Sequence, residues 1–187
     1  MLDKNISNII RSRKSVYPKD FNGKKISKNI VLEILKNANT APSHKLTQPW
    51  FYKVFSEKSK IRLAEEITKQ TNMDSTQFHD SLIQKFTNTS HVICVCMRRD
   101  IKESIPEWEE IAATSMAVQN IWLSCVNTNI GGYWSTPIYI SKLKNYLHLS
   151  VNERCLGLFY LGIYNTTTTQ KRKLYRKDIE SDIEWFE

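Results

Sequence analysis

Thr40-Ala41-Pro42-Ser43-His44-Lys45-Leu46-Thr47-Gln48-Pro49-Trp50 is the stretch that decides how the rest of this chain is read. Two prolines deny it regular structure, because each fixes its own φ and lacks an N–H donor. An imidazole, an ammonium, an amide and several hydroxyls sit in and around them. Polar groups fixed on a loop between two regular elements usually serve a binding site. Taken singly, His44 reads equally well as a surface imidazole and Trp50 as a core anchor. Only the combination asks for a site.

Immediately upstream, Ile30, Val31, Ile34, Leu35 and Ala38 recur at helical spacing behind Ser27, a residue suited to cap a first turn. Ile6, Ile9 and Ile10 repeat the pattern in a short first helix. Downstream, Phe51 to Phe55, Val92 to Met97 and Gly157 to Tyr164 are apolar or aromatic runs of strand length. Ser104-Ile105-Pro106-Glu107 has the spacing of a capping box, in which hydroxyl and carboxylate each satisfy an exposed amide. The helix it opens carries Ile111, Ala112, Met116, Val118, Ile121, Trp122 and Cys125, which predicts a buried central helix. That helix is expected to end near Gly131-Gly132, where glycine takes a left-handed cap. Helices on both sides of a few short strands specify an α+β or mixed α/β domain.

With 187 residues, 41% of them hydrophobic, the chain has enough apolar material for one core, so residues 1–187 form a single domain. Thr166 to Thr169 interrupts the texture ahead of a basic arm covering about residues 166–187. Nothing approaches the ~18 consecutive apolar residues of a membrane span, and Met1 to Arg13 lacks a signal-peptide core. A soluble, cytoplasmic protein is expected. Cys94, Cys96, Cys125 and Cys155 lie in apolar runs, which suits a reducing compartment. The net charge of +8 raises nucleic acid as a partner, but charge alone does not separate it from a phosphorylated cofactor.

Three further clusters carry chemistry. Arg11-Ser12-Arg13-Lys14-Ser15 suits a phosphate, or is a solvated helix end favoured by the macrodipole. Gly131-Gly132-Tyr133-Trp134-Ser135-Thr136-Pro137 allows backbone to approach a planar ligand lined by aromatics, or is a hairpin or helix-exit turn. Lys171-Arg172-Lys173 and Arg176-Lys177 form the basic arm, which reads also as a solvated or nucleic-acid-binding tail. Cys94 and Cys96 share one face of a strand with no second pair nearby, so core packing is expected and no metal site. Neither a nucleophile elbow nor a glycine-rich phosphate loop of the dinucleotide or Walker type is present.

Together, Arg13-Lys14-Ser15, the Ala41-Pro42-Ser43 to Gln48-Pro49-Trp50 loop and Gly131 to Pro137 resemble the nitroreductase family in type and order. Ile105 to Glu110, Tyr160-Leu161-Gly162 and the basic tail near Arg172 extend the likeness over nearly the whole chain, closest to the family's short, single-domain members. The resemblance implies an α+β fold with a central, mostly antiparallel sheet surrounded by helices, in an intertwined homodimer with FMN in pockets built from both subunits. Arg13, Lys14 and Ser15 would hold the ribityl and phosphate groups, with Lys171 and Arg172 closing the phosphate clamp. Gly132, Tyr133, Trp134 and Ser135 would lie along the isoalloxazine, and Thr40 and His44 would reach it from the partner subunit. The implied reaction takes hydride from NAD(P)H to a small planar acceptor, nitroaromatic, quinone or similar, by a ping-pong scheme with no catalytic side chain. It leaves no part for nucleic acid or membrane. Lys14 stands where a second Arg is commoner and Leu174-Tyr175 where Pro-Leu is usual, which leaves the tail register open by one residue. The rivals are a flavin-dependent dehydrogenase or dehalogenase, a flavin-binding protein without turnover, and, more remotely, a basic nucleic-acid-binding domain.

Overall fold

A computed structural model describes residues 2–71, 76–167 and 175–187. Helices α1 (Lys4–Ser12) and α2 (Lys28–Ala38) precede the first strand, β1 (Trp50–Ser56). Helices α3 (Glu57–Thr71) and α4 (Thr76–Asn88) lead to β2 (His91–Arg98), and α5 (Glu107–Leu123) leads to β3 (Ile130–Ser135) and β4 (Glu153–Ile163). The four strands make one antiparallel sheet in the order β1-β2-β4-β3, with β2 and β4 inside. The domain is α+β, as expected.

Alternation along β2 explains why its run is apolar throughout. Val92, Cys94 and Cys96 face one side, where Leu63, Ala64 and Ile67 of α3 and Leu82 and Phe86 of α4 cover them. Ile93 and Val95 face the other side, against Val31, Ile34 and Ala38 of α2 and Ala113, Ala117, Val118 and Ile121 of α5. The sheet is therefore a middle layer between two pairs of helices. Cys94 and Cys96 are core residues, as expected. Hydrogen bonds to Cys155, together with burial, push both thiols up.

Ser27 caps α2 as expected, its hydroxyl accepting the Ile30 N–H at 3.4 Å. The capping box before α5 does not form. Ser104 instead donates its hydroxyl to Asp100 Oδ2 at 2.7 Å, Pro106 occupies the cap position, and no side chain caps the helix. The start of α5 is fixed by Glu110, whose fully buried carboxylate accepts from Arg99 Nη1 and, at 2.9 Å, from the Asp100 amide. Arg99 Nη2 in turn donates to the Ile105 carbonyl at 2.7 Å.

The far end of α5 is also corrected. The helix stops at Leu123, and Asn127, at φ 59°, takes the left-handed position in the turn that follows. Gly131 and Gly132 do not cap the helix but belong to β3, and β4 starts four residues before the expected Gly157. Burial of α5 is one-sided: Met116 and Trp108 are exposed. Unlike α2, α1 buries no residue at all, and Ile6, Ile9 and Ile10 stand in solvent. No helix among the described residues is long and apolar enough to cross a membrane.

Candidate functional site

After α1 the chain runs along the outer edge of β3, where the Val16 amide donates to the Gly132 carbonyl at 3.0 Å. This contact places Arg13, Lys14 and Ser15 beside the sheet edge. The Arg13 guanidinium lies 5.2 Å from the Trp122 ring centroid, and Lys14 Nζ lies 5.1 Å from that of Tyr164. Neither cation has a carboxylate partner among the described residues. Burial, and then the nearby positive charge of Arg176, lower the pKa of Arg13. A partly desolvated guanidinium beside an exposed ammonium, neither with a counter-charge among the described residues, is suited to an anion. A cleft of about 490 Å³ opens here, lined by Ser12, Lys14, Trp122, Gly131 and Tyr164 among others.

The glycines of β3 are required by close approach. A Cβ on Gly131 would lie 2.6 Å from Val16 Cβ, and one on Gly132 would lie 2.4 Å from Phe159 Cζ. Trp122 Nε1 also donates to the Gly132 carbonyl at 2.9 Å. Tyr133 stacks between Tyr17, at 4.6 Å, and Tyr160, at 6.3 Å. Together with Lys19 and Lys85, Tyr17 and Tyr133 line a second cleft of about 590 Å³. Trp134 lies over Gly157, and its Nε1 is buried without a hydrogen-bond acceptor among the described residues. Ser135 ends the strand, half-buried. An edge of backbone, aromatic rings and unpaired cations can hold a flat ligand that ends in a phosphate.

Thr40 and His44 are placed at different ends of α5. Thr40 donates its hydroxyl to the Asn37 carbonyl at 2.8 Å and lies near Asn120 on α5. His44 Nδ1 lies 2.6 Å from Glu109 Oε2 at the start of the same helix. Arg13 packs on Trp122 near the helix end, about 20 Å farther along the axis at roughly 1.5 Å per residue. One chain therefore presents the basic and glycine residues as one group and His44 as a separate one. Around His44 the backbone is strained: Lys45, Leu46 and Gln48 all have positive φ, at 52°, 53° and 42°.

Lys171 and Arg172 lie outside the described residues. The tail cation whose charge reaches Arg13 is Arg176, which the sequence showed only as part of a basic arm. Tyr17, Lys85, Trp122 and Glu109 were missed as well. Lys85, Trp122 and Glu109 meet the site across long sequence separations, as Tyr17 does in reaching Tyr133, and local spacing carries no trace of that.

A model of the nitroreductase family matches residues 10–163. The chain belongs to the nitroreductase family. YfhC of Bacillus subtilis, a protein named as an NAD(P)H nitroreductase, is 26% identical over 180 residues, covering 92% of this chain and 91% of its own length. A nitroreductase-like family protein from Bacillus cereus superposes with a TM-score of 0.85 at 24% identity, covering 100% of this chain and 98% of that one. The FMN-dependent nitroreductase NfnB of Mycobacterium smegmatis, solved in complex with NADPH, superposes at 0.77 with 15% identity, covering 97% and 98%. The nitroreductase fold is thus shared over essentially the full length.

Proposed function

We propose that this nitroreductase is an FMN-dependent enzyme that oxidises NAD(P)H and reduces a small planar acceptor in a ping-pong cycle, working as a homodimer. The observation that carries it is Arg13 and Lys14, two cations with no carboxylate partner among the described residues, beside the open edge of β3 and the cleft there. Trp134 Nε1, buried and without an acceptor among the described residues, adds a donor on the same strand. These groups fit a flavin mononucleotide.

The redox chemistry, two electrons and a proton taken from NAD(P)H and passed on to the acceptor, is what FMN supplies when bound. The chain's own part is binding and electrostatics. Arg13, Lys14 and Ser15 hold the phosphate and ribityl end, and Arg176 adds its charge from the arm, whose sequence also carries Lys171 and Arg172. Gly132, Tyr133, Trp134 and Ser135 present backbone and rings to the flat part. Thr40 and His44 come from the second subunit; within one chain His44 stands at the opposite end of α5 from Arg13. The bare apolar face of α1 and the exposed Ile179, Ile183, Trp185 and Phe186 of the arm supply surface for that subunit.

Purified protein should be yellow, or become so with added FMN, and should oxidise NADH or NADPH only when a quinone or nitroaromatic is supplied. Parallel double-reciprocal plots would match the ping-pong cycle. Colourless protein that binds no FMN sinks the proposal. Light scattering should give twice the chain mass, and a monomer that holds FMN tightly would contradict the shared pocket.

A further inference from the structure

His44 and Glu109 are 65 positions apart in sequence and meet at 2.6 Å, Nδ1 to Oε2. An ionised carboxylate only accepts, so Nδ1 carries a proton in this pair. The His44 side chain is 56% exposed and that of Glu109 22%, so the imidazole stands outward on a more buried support. Nε2 bonds to no described residue of its own chain.

Both partners are held firmly. Glu109 is adjacent to Glu110, the fully buried anchor of α5. The loop is tied by Lys45 Nζ donating to the Ser104 carbonyl at 2.9 Å, by the Gln48 amide donating to Ser43 Oγ at 3.1 Å, and by the Arg98 amide donating to the Pro49 carbonyl at 2.8 Å. Three non-glycine residues with positive φ are retained to keep this shape. An isolated surface ion pair contributes too little to offset that strain. Strain kept in place beside a fixed imidazole marks a site that presents a group to something else.

We propose that Glu109 is a positioning residue. By accepting from Nδ1–H it fixes the tautomer and ring direction of His44, leaving Nε2 as an acceptor for an O–H or N–H donor on the flavin bound by a second copy of the chain. This role rests on the shared pocket proposed above. It assigns the acidic first turn of α5 a task besides complementing the helix dipole.

The test uses the full-length protein as His44→Ala, Glu109→Gln, Glu109→Leu and the His44→Ala/Glu109→Leu double variant. In flavin-free protein, imidazole ¹⁵N shifts should place the neutral-state proton on Nδ1 in the wild type and in Glu109→Gln, and should lose that preference in Glu109→Leu. FMN affinity should fall about tenfold in His44→Ala and in Glu109→Leu, stay within about threefold in Glu109→Gln, and fall no further in the double variant. A proton on Nε2 with Glu109 intact, or a Glu109→Leu penalty that persists in full without His44, overturns the positioning role. Unchanged affinity in His44→Ala sinks the shared pocket itself. Weakened His44→Ala with unchanged Glu109→Leu sinks only the role of Glu109. Melting temperatures separate misfolding from lost positioning, and the Gln variant keeps the test alive if the Leu variant does not fold.

Discussion

Gly132 shows how a single missing side chain can define a binding edge. Its would-be Cβ is blocked by Phe159, which is fully buried, and would also lie 3.4 Å from Trp122 Cδ1. Gly132→Ala should therefore destabilise the fold by about 1–3 kcal/mol through overpacking and weaken FMN binding, read by denaturant melts and flavin titration. Lys85 offers a second test at this scale. Burial pushes its ammonium down to about 8, although the Tyr160 ring 4.1 Å away favours the cation. A base depressed in the folded state weakens the fold wherever it is charged in both states, and that cost is relieved as pH rises from about 8 toward the unfolded value near 10.4. Flavin-free protein should gain stability through that window, and Lys85→Met should not. At neutral pH the variant should be the more stable by on the order of 1–2 kcal/mol, since part of the side chain stays in water.

Among the elements, α5 connects the two halves of the site, and its start depends on a buried ion pair. Removing one partner of such a pair leaves an uncompensated charge. Glu110→Ala should cost about 3–5 kcal/mol in chemical denaturation and should disorder His44 along with the helix start. The mistaken capping box is instructive here. Ser104 and Glu107 have the right spacing, yet Asp100 offers the hydroxyl a better acceptor and Glu110 reaches Arg99, both through contacts that a four-residue pattern does not contain. Helix α1 shows the converse. Its isoleucine stripe was legible from periodicity, but no described residue of the same chain covers it. Ile6→Asp combined with Ile10→Asp should leave the monomer fold intact, shown by an unchanged far-ultraviolet spectrum, and should shift light scattering from dimer to monomer with loss of FMN.

At the scale of the whole molecule, the arm returns to the N-terminal segment, bringing the charge of Arg176 to Arg13. Arg176→Ala should lower FMN affinity about tenfold, with a smaller effect on riboflavin, which has no phosphate. Equal effects on the two ligands would move Arg176 out of the phosphate site. The amino-acid sequence by itself determined the elements whose signal is local. Apolar periodicity marked α1, α2, α5, β1, β2 and most of β4, and the residue types from Arg13 to Ser15, Thr40 to Trp50 and Gly131 to Ser135 marked where a flavin is expected. Those signals survive in one dimension because side-chain period and backbone restriction act over a few residues. What only the tertiary structure decided was adjacency: that β3 is an edge strand bordered by the Arg13 segment, that Glu109 holds His44, and that His44 stands at the other end of α5 from Arg13. Such contacts join residues tens of positions apart, and their energies depend on burial and distance, which no spacing along the chain encodes.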